Sequence, residues 1–452
     1  MRVFAGESTL LEDRLSFALA PALTPDGVTA APTFFSGFAT QPQVLARGLV
    51  TLADITATRY FQYVPTTQRD PILTAQGDRL RAECFSACNG VYARLDLLQA
   101  AFDGGDIAHG TTNVDLGSGM RSALSAMGRH ELLHLAVGID GLTVSTPGAT
   151  TIERPVEMPD RWVRALGNAA EIHHGLTTSF SVNASAAKAF IASLPPATAK
   201  TTSGWLTPVR GSLKLVPRRT PGAIYLSGLH RLSALKRVLL HVTGLTVFGP
   251  TESTADSGPV LIAVDLPGAR LTLGLTDDAW RGYSGEGALL GSLASADVLE
   301  DADLLSVILA FDPVINVADL ARNAALPESR VHSALAVLAT SGRIGWDAHD
   351  QAWFHRELPD DPDRVLKDNP RLVAARALVA SDAVGQVDGD PNRWTVRSAG
   401  VDYLVRLLPE SIAAHKPADG ARCTCAWYLK YAGGRGACKH VLAASLNLKD
   451  ES

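Results

Sequence analysis

Between Gln43 and Tyr60, apolar residues recur every three or four positions directly behind Pro42, which predicts a helix entered through proline. Arg79–Phe85 and Val91–Leu98 instead alternate polar and apolar residues, the two-residue period of strands. Met120–Met127 is expected as a short helix and Leu132–Val144 as a hairpin turning at Gly138–Gly141. From about 205 to 300 the pattern is mostly β: GAIYLSG, RVLLHVTGLTVFG and VLIAVDLPGARLTLGL are partly β-branched apolar runs punctuated by glycine and proline. Pro195–Gly204 is the best linker candidate ahead of them.

Residues 301–360 have a recognisable order. Helices are expected at Leu304–Phe311, Val317–Ala325 and Glu328–Thr340, followed by short strands at Ile344–Trp346 and Ala352–His355 around His349-Asp350. That is the order of a winged helix-turn-helix. Asp360-Asp-Pro-Asp reads as a linker into a last unit. The expected architecture is therefore α+β and multidomain. It comprises a helical region 1–65, a mixed domain 66–200, a β-rich domain 205–300, a winged-helix-like domain 301–360 and a C-terminal unit 364–452.

At 452 residues the chain exceeds one ordinary core, and its 41 basic against 46 acidic side chains name no partner. No secretory leader pattern and no apolar run of membrane-spanning length occurs, so the expectation is a cytoplasmic protein without a membrane segment. Five cysteines are an odd number, and three of them lie within sixteen residues near the C-terminus. Clustering of that kind points to metal rather than to a disulfide framework.

The cluster reads Cys423-x-Cys425, twelve residues, then Cys438-x-His440. Ligands at i and i+2 on extended backbone project to one side, so the first pair can grip one ion. Gly433-Gly434-Arg435-Gly436 lets the chain turn back towards Cys438. Val441-Leu-Ala-Ala-Ser-Leu is expected to be helical, with His440 in its first turn and Cys438 near its cap, where thiolate is favoured. Three thiolates and one imidazole are a preferred donor set for structural zinc, so one zinc ion is expected on Cys423, Cys425, Cys438 and His440.

Those residues resemble the SWIM zinc finger, in which C-x-C, a spacer and C-x-H are followed directly by an apolar helix. Trp394-Thr-Val-Arg-Ser-Ala-Gly-Val-Asp-Tyr-Leu-Val is similar to the strand pair that family places before its first cysteine. With its flanks the likeness covers about 90 residues. Cys88-Asn-Gly-Val-Tyr-Ala-Arg-Leu-Asp-Leu-Leu, Gly110-Thr-Thr-Asn-Val-Asp and Glu153-Arg-Pro-Val-Glu-Met-Pro-Asp-Arg-Trp resemble stretches of bacterial SWIM proteins of this length. The resemblance implies an adaptor working beside a MoxR-type AAA+ ATPase and a von Willebrand factor A-domain protein. For SWIM modules in general it implies binding to DNA or to proteins.

Charge separates the two terminal units. From Arg393 to His440 there are eight Lys/Arg against three acids, a basic module that leaves nucleic-acid binding open as an alternative. From Glu300 to Asp360 there are four arginines against ten acids, and the third helix offers only Arg330 as a fixed cation. A surface so acidic repels phosphates and suits protein docking.

One enzymatic alternative needs weighing. His130-Glu131-Leu132-Leu133-His134 has the letters of a zinc-protease signature, with Glu153 or Glu157 at a distance suited to a third ligand. The chemistry requires His130 and His134 on one helical face, whereas Gly128, Gly138 and Gly141 favour turns and strands. Cys84 and Cys88 read as two buried thiols and His173-His174 as surface or core histidines. No phosphate-binding loop, dinucleotide fingerprint or serine elbow is present, and the reading is of a binding protein rather than an enzyme.

Overall fold

The computed structural model describes residues 33–61, 70–250, 258–285, 287–294, 297–309, 314–356, 369–413 and 416–448, the single positions 358 and 365, and short strand segments between 9 and 28. The rest of the expected helical region 1–65 lies outside the described residues, as does the 360–363 linker. Thr33–Ala39 is a strand, and α1 (Pro42–Thr56) is the helix expected behind proline.

Eight strands form the central antiparallel sheet: β1 (Ile72–Gln76), β2 (Arg79–Phe85), β3 (Val91–Leu98), β4 (His109–Asn113), β5 (Leu176–Asn183), β6 (Gly244–Pro250), β7 (Val260–Leu266) and β8 (Ala269–Leu275). Their order is β4-β1-β2-β3-β8-β7-β6-β5, with Val91↔Leu275 and Ala269↔Leu97 in register at the middle. That pairing joins segments from both sides of Pro195–Gly204, so the sheet crosses the boundary expected there. The apolar runs were legible as strands, but strand pairing at long range leaves no local mark in the pattern.

A second, five-stranded sheet contains the expected hairpin as His134–Gly138 and Gly141–Thr146. The stretch Arg237–His241, expected as β, belongs instead to a 3₁₀ helix spanning Leu229–His241. Leu232, Leu235 and Val238 are buried three residues apart, the period of that helix, and Leu240 is exposed.

The sheet is covered on both sides. Leu80, Ala82 and Cys84 of β2 share one core with α1 and the 3₁₀ helix. Leu261 and Ala263 of β7 and Phe248 of β6 share a second core with buried residues drawn from Leu289 through Ala444. Between the two cores lies α2 (Asp160–His174), with Trp162, Val163 and Leu166 in the first and Ala170 in the second, a helix the sequence pattern did not single out because Gly167 interrupts it. A side chain at Gly167 would meet the Ala339 carbonyl oxygen at 2.7 Å, so glycine permits the close crossing of two helices.

The expected helix order after residue 297 is present as α3 (Val298–Ile308), α4 (Val317–Ala324) and α5 (Glu328–Thr340), then β9 (Ile344–Asp347) and β10 (Ala352–His355). The first of these begins earlier than expected, with Glu300 and Asp301 in its opening turn complementing the helix dipole. In α5, every residue from Ser333 to Thr340 is buried, and the helix packs against α2 and α3. Arg330, its one fixed cation, pairs with Asp301 at 2.8 Å. The one cation that such a helix could offer to a phosphate backbone is therefore engaged within this chain.

The charge surplus of the wing has an internal destination as well. Arg79, Arg81 and Glu83 of β2 and Arg94 and Asp96 of β3 lie on one sheet face beneath the β9–β10 hairpin, all of them buried. Asp347 pairs ionically with Arg81 at 3.0 Å and Arg94 at 2.8 Å, Asp350 pairs with Arg79 at 2.7 Å, and Arg356 grips Glu83 at 2.7 Å. The Phe354 ring lies 3.8 Å from the Arg81 guanidinium. Burial pushes the Glu83 carboxyl up, but Arg356 and Tyr92 more than offset it and hold it at about 2. Part of the acidity expected to meet a protein partner thus docks the wing onto the sheet of the same chain. Among the described residues, no helix is long and apolar enough to cross a membrane.

Candidate metal centre

After α6 (Pro370–Ala380) comes a four-stranded antiparallel sheet. Its strands, in order, are β11 (Val384–Val387), β12 (Asp390–Ser398), β13 (Val401–Arg406) and β14 (Arg422–Cys423). The strand pair expected before the first cysteine is β12–β13, with Trp394, Val396 and Val405 turned into the core. A short helix at Pro409–Ala413 precedes β14, and α7 (Ala426–Tyr431) and α8 (Lys439–Leu446) follow it.

Three local devices place the four candidate ligands. Cys423 ends β14 opposite Val405, so its side chain faces inward with that of Val405. Cys425 is the N-cap of α7, its sulfur accepting from the Tyr428 amide at 3.4 Å. Cys438 is the N-cap of α8, accepting from the Val441 amide at 3.5 Å. Both sulfurs do what a serine oxygen does at an ordinary cap, satisfying an amide the helix leaves unpaired. His440 sits in the first turn of α8, as expected, and the Tyr403 ring stacks on it at 4.2 Å.

The four candidate ligand atoms lie within 4.8 Å of one another, and Cys423 Sγ is 3.8 Å from His440 Nδ1. The edges of a tetrahedral zinc–sulfur–nitrogen site are about 3.5–3.8 Å, so the set closes with small side-chain adjustments. All four residues are buried, with exposures of 3–5%. Cys438 carries the negative charge most readily. The Cys423 thiol donates to it, and His440 and the Val441 amide add to this, outweighing burial and lowering its pKa. The same partnership raises Cys423. Three crowded sulfurs sharing protons in a buried pocket are a donor set that a cation would stabilise. The cluster can hold one metal ion.

The excursion between the ligand pairs is pinned from outside. Ala432 and Gly433 take positive φ, and Gly436 lies so close to the Gly287 carbonyl that no side chain fits there. Arg371 of α6 donates to the carbonyls of Arg435 at 2.8 Å and Ala437 at 2.9 Å and sits 4.6 Å from the Trp427 ring. Tyr403 and Arg371 support the site directly, yet neither lies in the cysteine motif, and only the fold brings them to it.

The protease alternative fails on geometry. His130 and Glu131 lie in a turn, His134 opens a strand and meets Ser36 Oγ at 3.2 Å, and Glu131 accepts from the Gly128 amide. The helical face that would bring both imidazoles to one ion is absent, because Gly128 and the edge of the hairpin set the backbone there. Glu153 caps the Gly117 amide instead. Cys84 lies on β2 with its thiol towards the Leu52 carbonyl, and Cys88 is half-buried beside Ser86; both are free thiols. His173, buried in the core, hydrogen-bonds Tyr283 at 2.9 Å, and His174, half-buried, packs among His332, Trp346 and Trp353.

No family model matches the chain, and no curated protein matches it. Among solved structures, proliferating cellular nuclear antigen from Entamoeba histolytica is 12% identical. It covers 54% of this chain and 99% of its own, with a TM-score of 0.35. The PCNA2–PCNA3 complex from Sulfolobus tokodaii is 10% identical, with the same coverage and a TM-score of 0.38. Neither likeness names a family.

Proposed function

We propose that this chain is a zinc-binding adaptor whose C-terminal unit is a SWIM-type finger. Its work is to hold protein partners, a MoxR-type AAA+ ATPase and a von Willebrand factor A-domain protein, in a bacterial cytoplasmic system. The observation that carries the reading is the convergence of Cys423, Cys425, Cys438 and His440 into one buried cluster within a C-x-C and C-x-H framework. Zinc is the cation that three thiolates and an imidazole favour. A structural ion suits the site better than a catalytic one, because all four positions come from protein and all are buried. The partners follow from the SWIM resemblance.

Nucleic acid is the second reading, favoured by the eight basic side chains between Arg393 and His440. Against it stands the acidity of residues 300–360, where the one arginine of α5, Arg330, is already paired with Asp301. Size-exclusion chromatography of the zinc-loaded full chain with the purified ATPase and A-domain protein separates the two. A complex lost on Cys423→Ala supports the adaptor. Salt-sensitive retention on DNA without any protein complex contradicts it.

A further inference from the structure

The outer face of the four-stranded C-terminal sheet carries an alignment that neither the metal site nor the core requires. In register across three neighbouring strands stand Arg393, Arg406 and Arg422, from β12, β13 and β14, and all three are exposed. Like charges directly opposite one another repel. Arg393 reaches Asp390 at 3.2 Å, but Arg406 and Arg422 have no acidic partner among the described residues. The next row is Thr395, Leu404 and Thr424, with Leu404 53% exposed, and beyond it Arg397 and Asp402 form a bidentate pair at 2.7 and 2.9 Å. The face therefore offers a file of guanidinium groups beside one apolar side chain, flanked by hydroxyls.

We propose that this face docks an acidic helix of a protein partner, with three carboxylates on the arginine file and an apolar residue on Leu404. Spacing and charge both favour that occupant. Neighbouring strands are about 4.8 Å apart, so the file spans about 10 Å. Carboxylates at i, i+3 and i+7 of a helix share one face over about 10.5 Å. In an extended peptide, same-side residues are about 6.8 Å apart, and three of them overshoot the file. Single-stranded nucleic acid binds through stacked bases, and among the described residues no exposed aromatic side chain stands on this face: Trp394 is buried and Tyr403 lies inward against His440. The proposal deepens the adaptor reading and rests on it.

The test uses the full-length chain after its zinc content has been measured. Two helix-forming peptides of identical composition serve as probes, one with glutamates at i, i+3 and i+7 beside a leucine and one with the same residues scattered round the helix. Fluorescence anisotropy at low salt should give about tenfold tighter binding of the striped peptide, and Arg406→Glu should remove that advantage with zinc content unchanged. Equal affinity for both peptides overturns the proposal, as does binding of neither. So does tighter binding of a DNA oligonucleotide that Arg406→Glu abolishes. A chain without zinc refutes the finger itself, whereas a zinc-loaded chain indifferent to the stripe refutes this face alone.

Discussion

At the residue scale, the metal cluster is the part of the molecule written most locally. Spacing alone places two sulfurs on one side of an extended segment and puts an imidazole in the first turn of a helix, and both are found. The second capping sulfur, Cys425 on α7, was not foreseen, because a six-residue helix leaves too short a pattern to read. Histidines were less legible. His173 and His174 look like any adjacent pair in sequence, and only the packing around α2 buries the first and half-buries the second. Burial lowers His173 to about 3, and burial together with His332 and Lys416 lowers His174 to about 4. The unfolded chain protonates both near pH 6.5, so unfolding takes up protons below that value. Their contribution to stability is complete above about 6.5 and declines as the pH falls towards 4. Asp70, raised to about 6 by burial, works in the opposite sense over part of that window. His174→Gln should therefore flatten the acid limb of a Tm-against-pH curve between about 6.5 and 4. An unchanged slope would mean that the imidazole is already charged in the fold.

At the element scale, strands with a clear two-residue period were found where the pattern put them, Arg79–Phe85 and Val91–Leu98 among them. What the pattern concealed is the use of their polar face. Alternating Arg79, Arg81 and Glu83 look solvent-directed, yet they are buried because Asp347, Asp350 and Arg356 arrive from a hairpin far along the chain. Charges of both signs on one face of neighbouring strands were the available signal, and its meaning depended on a partner that sequence distance hid. Removing one member of a buried ionic network strands the others, a loss of roughly 3–5 kcal/mol. Asp347→Ala should destabilise the chain by about that amount and make the β9–β10 hairpin cleavable in limited proteolysis. A variant as protease-resistant as the parent would show that the wing is held by its apolar contacts alone.

For the whole molecule, the sequence divides more readily than the structure does. Composition suggested five units in a row. One eight-stranded sheet joins residues 72–113 to residues 176–275, and the β9–β10 hairpin and the C-terminal unit share the core on its second face. Long-range pairing and interlayer packing carry no local periodicity, which is why the boundaries were the least legible feature. The C-terminal unit remains the exception, since its β-sheet, helices and candidate ligands all come from a short stretch of chain. Folding of so small a unit couples to any ion that its cluster holds. The most direct measurement is metal analysis with X-ray absorption on the purified chain, repeated on Cys438→Ala. One zinc per chain in a three-sulfur, one-nitrogen shell is predicted, with both the metal and the protease resistance of residues 384–448 lost in the variant. A chain that stays metal-free after expression with ample zinc, or that links two of these sulfurs in a disulfide, would contradict the account.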